Sequence, residues 1–189
     1  CLRPWTLQHA IVLQLSPSAS PMRTIYHNIG SIQTMCDTLP LIEGKSIIVK
    51  DNIIEDIKDS VEEFESSDCS FVDVGGKAII PGFIDAHNHL LWAGDRFNEH
   101  NLRLEGKTYS EIANMGGGIM ETVRQTRGVA SKSLYLIGLH RLKESLKNGT
   151  THVEAKSGYG LSTEHELRLL TIVDQLRLNA KTLSINGEW

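Results

Sequence analysis

The chain has 189 residues, long enough for one or two domains with their own cores. Hydrophobic content of 40% against 22% charged residues is ordinary for a soluble globular protein, and a net charge of -4 gives no general attraction to nucleic acid or an anionic membrane. No apolar run approaches the roughly 20 residues of a membrane span.

The first segment, 1–21, lacks an initiating Met and carries Ser16-Pro17-Ser18-Ala19-Ser20-Pro21. It reads as a non-native or disordered leader, with too little flanking positive charge around Ile11-Val12-Leu13 for a clear targeting signal. From 22 to 80 the signals are short strands, at 25–32, 46–49 and 52–57, with a tight turn near Lys50-Asp51-Asn52. A solvated acidic loop follows at 62–68, then a strand at 71–74. These pieces make a small β domain. The three cysteines, Cys1, Cys36 and Cys69, are odd in number and form no C-x-x-C pair, which favours a reducing, cytoplasmic compartment.

After Pro81 the periodicity changes. Ser131 is placed to N-cap a helix with Tyr135, Leu139, Leu142 and Leu146 on one face and Gly149 just past its end. A strand at 151–156 comes next, and Thr163 with Glu166 forms a capping-box pattern ahead of Leu167, Leu170, Val173 and Leu176. Strand, helix, strand, helix is the rhythm of a parallel α/β fold. A complete (β/α)8 barrel needs about 250 residues, so 81–189 holds only part of one. The run at 184–189 reads as the beginning of a further strand.

The densest chemistry lies in Pro81-Gly82-Phe83-Ile84-Asp85-Ala86-His87-Asn88-His89. It reads as a buried strand introduced by a Pro-Gly turn. Alternation puts His87 and His89 on one face, and two converging imidazoles make half of a metal site. A pair of surface or hydrogen-bonded histidines has the same pattern. Arg96, in Ala93-Gly94-Asp95-Arg96, offers a planar fork for a carboxylate, or else pairs with Asp95 or Glu99 on the surface. Tyr159, in Lys156-Ser157-Gly158-Tyr159-Gly160, either leans into a cleft or packs in an ordinary turn. Met115-Gly116-Gly117-Gly118-Ile119 lacks the phosphate-loop patterns and reads as a loop or helix-entry turn. His152, Glu154 and Lys156 share one strand face, where Lys156 is read as salt-bridged rather than as a carbamylated bridge between metals. His140 and His165 read as surface helix residues.

Taken in order, the strand at 81–89, Trp92-Ala93-Gly94-Asp95-Arg96, Gly116-Gly117-Gly118-Ile119 with Thr122-Val123-Arg124-Gln125-Thr126-Arg127, and Glu154-Ala155-Lys156-Ser157-Gly158-Tyr159-Gly160-Leu161 resemble the amidohydrolase superfamily. Within it they are most similar to the imidazolonepropionase family, over roughly residues 24–181. The resemblance implies an α/β chain: a partial metal-dependent-hydrolase (β/α)8 barrel at 81–189 preceded by a small β-sandwich-like domain at 22–80. It implies one Zn or Fe ion held by His87 and His89, and substrate binding by Arg96, Tyr159 and Tyr109. It also implies a small-molecule substrate, 4-imidazolone-5-propanoate, hydrolysed to N-formimidoyl-L-glutamate by a homodimeric full-length enzyme with no nucleic-acid or membrane partner. Further His and Asp ligands, and the His and Glu that move protons, are expected beyond Trp189. Asn88 is expected to turn away from the metal. His152 stands where relatives carry a small hydroxyl residue and is not taken as a ligand. Two alternatives stand beside this reading. One is an inactive fragment of such an enzyme. The other is a different cyclic-amide or nucleobase amidohydrolase, against which Arg96 and the Ser-Gly-Tyr-Gly loop weigh.

Overall fold

The computed structural model describes residues 23–183 apart from 52, 60, 63 and 65–68. The expected leader, most of the acidic loop and the run at 184–189 lie outside the described residues. Mixed α/β structure is divided between two compact units. The first holds the residues up to Ile84 with Gly149–His152; the second holds Asp85–Asn148 with Val153–Leu183.

Among the described residues the two sheets of the first unit are built from β1 (Arg23–His27), β2 (Ser31–Gln33), β3 (Leu41–Glu43), β4 (Ser46–Lys50), β5 (Ile53–Lys58), β6 (Cys69–Asp73) and β7 (Ala78–Ile79). They form a four-stranded sheet in the order β5-β4-β1-β6 and a three-stranded sheet in the order β3-β2-β7. The single strand expected at 25–32 is therefore two. Asn28, at φ 54, bends the chain out of the first sheet and into the second. The β6 to β7 segment follows it around the bend, because Val74, Gly76 and Lys77 continue the pairing with His27, Asn28 and Gly30. Gly30 permits this close approach, since a Cβ there would run into the Gly76 carbonyl oxygen.

The four-stranded sheet is buried on both faces. Tyr26, Ile47 and Val49 pack with Ile29 and Ile32 in one cluster, while Ile25, Ile48 and Cys69 pack with Val61 and Phe64 in another. The tight turn expected before β5 is present, with Asp51 in the left-handed region at φ 50.

Strands β8 (Phe83–Asn88) and β9 (Thr150–Ala155) form a two-stranded sheet. The Phe83 N–H donates to Gly149 O and the Lys156 N–H donates to Asn88 O, so the strands run parallel. Sequence reading makes β8 a buried strand, yet Phe83 and Ile84 are 52% and 51% exposed. Their strand has one neighbour among the described residues, and parallel strands become buried only when both faces are covered. No closed barrel forms among the described residues.

The helices of the second unit are α1 (Phe97–Leu104), α2 (Tyr109–Asn114), α3 (Ile119–Gly128), α4 (Ser131–Lys147) and α5 (Thr163–Leu183). Its core joins Leu90, Leu91 and Ala93, just after β8, to Leu134 of α4 and Leu169, Ile172 and Leu176 of α5. Gly138 lets α4 sit close, since a Cβ there would press on Leu91 and Leu176. Two expectations change. Ala130, not Ser131, occupies the N-cap of α4, and Ser131 Oγ instead accepts from Arg168 Nε at 3.1 Å. The apolar face of α5 is rotated from the expected one: Leu169, Ile172, Val173 and Leu176 face inward, while Leu167 and Leu170 are exposed. Gly149 does stand past the end of α4, at φ 89.

Candidate metal and substrate site

The end of β8 is shaped by Asp85. One carboxylate oxygen accepts from the His87 N–H at 3.3 Å and the other from Asn88 Nδ2 at 2.8 Å. Asn88 is thereby tied to Asp85, and the two imidazoles are left side by side. Their ring centroids lie 5.5 Å apart, with the planes at 76°. His87 is exposed and His89 half-buried. His89 Nδ1 is buried with no hydrogen-bond partner. A buried imidazole nitrogen without a partner costs free energy, and a bound cation would use it.

Tyr159 joins this pair. Its ring centroid is 5.6 Å from that of His89. The loop carrying it passes so close that a Cβ on Gly158 would lie 2.6 Å from His89 Cε1 and 2.8 Å from Nδ1. The glycine spacing of Ser-Gly-Tyr-Gly thus has a steric reason: the backbone lies against the imidazole.

The other two expected substrate residues, Arg96 and Tyr109, gather around a different feature, the turn at 116–118. Arg96 Nη1 is 4.0 Å from Glu99 Oε2, and the buried Glu99 accepts the Gly118 N–H on Oε1 at 2.6 Å. A Cβ on Gly118 would come within 3.6 Å of Tyr109 Oη. The Gly-rich segment is a helix entry, with Gly118 at the N-cap of α3. Arg96 therefore makes the ion pair its surface reading foresaw. The contact is at the limit of salt-bridge distance, however, and leaves the side chain 41% exposed. A guanidinium so placed keeps donors available to a carboxylate.

Residues that sequence reading passed over hold these loops. Arg141 of α4 donates from Nη1 to Leu90 O at 2.7 Å and Trp92 O at 3.0 Å, with its guanidinium 3.8 Å from the Trp92 ring centroid. Burial lowers its pKa, partly offset by the nearby Tyr159 oxygen. Thr126 Oγ1 accepts the Ala93 N–H at 3.0 Å. Gly160 is held from both sides, its carbonyl by Arg127 Nε at 2.7 Å and its N–H by Glu166 Oε1 at 2.8 Å. Thr126 and Arg127 fall in the motif run at 122–127, and Glu166 ends an S/T-x-x-E pattern, but neither signal tells what these side chains hold. Glu166 makes no capping box with Thr163. Ser162 Oγ accepts the His165 N–H instead, and Glu166 reaches back into the loop. His165 also departs from the surface reading, since its Nδ1 is buried without a partner.

Lys156 Nζ donates to Glu154 Oε1 at 2.5 Å, so it is salt-bridged. That bond and the lysine charge, with a smaller contribution from His87, hold the Glu154 carboxyl below its ordinary pKa. Among the described residues no group of three or more His, Cys, Asp or Glu side chains is arranged to hold a metal. His87 and His89 fit a cation as two nitrogen donors, one short of the three usual in a catalytic zinc centre.

Comparison with known proteins shows what the chain is similar to. The chain is 54% identical over 106 residues to the imidazolonepropionase of Symbiobacterium thermophilum, covering 56% of this chain and 25% of that protein. It is 39% identical over 144 residues to the imidazolonepropionase of Clostridium tetani, covering 75% of this chain and 34% of that protein. The chain matches the N-terminal portion of the imidazolonepropionases. It spans 25% to 34% of the length of these two curated relatives. No family model matches. Among solved structures, a triazine hydrolase from Arthobacter aurescens shares the fold with a TM-score of 0.55 at 16% identity, covering 87% of this chain and 34% of that one.

Proposed function

We propose that the protein carrying this chain is an imidazolonepropionase, hydrolysing the cyclic amide of 4-imidazolone-5-propanoate to N-formimidoyl-L-glutamate. The observation that carries the reading is the sequence match to imidazolonepropionases, joined to a structure in which His87, His89 and Tyr159 meet at a strand end. In this reading β8 and β9, with α4 between them and α5 after, are the first two βα units of a (β/α)8 barrel. The active site of such a barrel lies at the C-terminal ends of its strands, where His89 and the loop after β9 both sit.

His87 and His89 would hold one Zn or Fe ion, whose contribution when bound is to lower the pKa of water and polarise a carbonyl. The chain's own residues supply binding and orientation. Arg96 takes the propanoate carboxylate through charge-assisted hydrogen bonds, and Tyr159 places the imidazolone ring beside His89. Tyr109, whose hydroxyl lies beside Gly118, would add a further contact to the substrate. In the reaction, the oxygen of water adds to the ring carbonyl carbon, the C–N bond breaks, and the nitrogen takes a proton. The odd number of cysteines, with no C-x-x-C pair, supports a cytoplasmic setting.

The test follows loss of the imidazolone ring and appearance of the formimidoyl product with purified full-length protein. Arg96→Ala should lower kcat/KM by roughly 10- to 150-fold, the equivalent of about 1.5–3 kcal/mol for a charged hydrogen bond. Arg96→Lys should not restore it, because an ammonium lacks the fork. Unchanged kcat/KM in Arg96→Ala, or no hydrolysis by the wild type, would overturn the reading.

A further inference from the structure

We propose that Glu166 is the positioning residue of this site: its carboxylate gathers the loop at 157–161 and so fixes both the Tyr159 ring and, through Gly158, the His89 imidazole. Glu166 lies in the first turn of α5, yet its hydrogen bonds go outside the helix. Oε1 accepts the Gly160 N–H at 2.8 Å and the Leu161 N–H at 2.7 Å. Oε2 is buried without a hydrogen-bond partner. Partial burial pushes the carboxyl up, but the Ser157 hydroxyl and the backbone N–H groups of Leu161, Gly160 and Gly158 outweigh it, leaving its pKa below the ordinary value. One carboxylate oxygen thus takes two successive backbone N–H groups of the turn, as an anion does when bound in a nest of backbone donors.

The neighbouring sterics make the clamp tight. A Cβ on Gly160 would lie 2.6 Å from Glu166 N and 2.7 Å from His165 C, which are backbone atoms that cannot swing aside. The loop therefore lies flush on the start of α5. From the other side, Arg127 holds the Gly160 carbonyl, and Arg168 of α5 donates in turn to the Arg127 carbonyl at 3.0 Å. With residue 160 pinned at both its N–H and its C=O, Tyr159 and Gly158 have little freedom. Both of those residues lie against His89.

The effect on turnover rests on the hydrolase reading; the clamp itself does not. The test therefore has two arms, on full-length protein. Amide hydrogen exchange at Gly160 and Leu161 is compared in wild type, Glu166→Ala, Glu166→Gln and Glu164→Ala, the last removing an equal charge from the same helical turn. Exchange should accelerate by about tenfold or more in Glu166→Ala, less in the volume-conserving Glu166→Gln, and not in Glu164→Ala. In the second arm, the loss of kcat/KM in Glu166→Ala should shrink when Tyr159→Phe is already present, because the two residues act through one contact. Unchanged exchange in both Glu166 variants, or fully additive losses, would overturn the proposal. Should the wild type not hydrolyse the imidazolone, the exchange arm alone decides the clamp.

Discussion

Replacing Gly158 with Ala adds one methyl group at a crowded point of the site. Its carbon would sit 2.6 Å from His89 Cε1 and 2.8 Å from Nδ1, whereas carbon atoms rest at about 3.5–4.0 Å. Roughly 1 Å of separation must be found. The loop cannot yield easily, because Gly160 is held by Glu166 and Arg127. The imidazole must therefore turn away, carrying its orphaned Nδ1 with it. Overpacking of this kind costs about 1–3 kcal/mol of stability, and a 1 Å displacement of a reacting group costs on the order of 100-fold in rate. Urea unfolding of Gly158→Ala and kcat/KM on 4-imidazolone-5-propanoate read the two effects. Gly128→Ala is the control, since a Cβ there meets nothing. It should leave the rate unchanged. Wild-type rate and stability in Gly158→Ala would refute the reasoning, by showing that nothing presses His89 into place.

Thr108 and Glu111 form the capping box of α2, with the Glu111 N–H on Thr108 Oγ1 at 3.3 Å and the Thr108 N–H on Glu111 Oε2 at 2.8 Å. Thr108→Ala should cost about 1 kcal/mol in urea unfolding. The Thr108 backbone N–H, then its hydroxyl, hold the Glu111 carboxyl below its ordinary pKa. A depressed folded pKa stabilises above the unfolded value and is lost as pH falls through the folded one, so Glu111→Gln should flatten the acid limb of the stability curve. Arg141→Lys keeps the charge but loses the guanidinium that bridges two carbonyls and stacks on Trp92. It should lower stability by about 1.5–3 kcal/mol and alter Trp92 fluorescence.

Much of the site is legible because its residues repeat at strand spacing or stand in short motifs. His87 and His89 are two residues apart on a strand, and that spacing alone puts their rings together. The rhythm of β8, α4, β9 and α5 follows from apolar periodicity and the glycine after α4. What escapes the sequence is contact between distant segments. Arg141 acts on carbonyls at 90 and 92, and Arg127 on the carbonyl at 160. No local pattern encodes a side chain reaching a backbone carbonyl tens of residues away. Glu166 shows how a local pattern misleads: its spacing from Thr163 fits a capping box, but the free N–H groups of the preceding glycine loop compete for the same carboxylate and win. The break between β1 and β2 was hidden for a related reason, since Ile25, Ile29 and Ile32 are buried in either geometry and only the left-handed Asn28 separates the sheets. The exposed Leu167 and Leu170 reflect a helix whose apolar residues outnumber those its one packed face can bury.

Metal content tests the central claim most directly. Full-length protein purified under identical conditions as wild type, His87→Ala and His89→Ala should differ in bound Zn or Fe. About one ion per chain is expected in the wild type, and a large loss in each variant while the fold is retained. Stoichiometric metal and normal turnover in both variants would contradict the account.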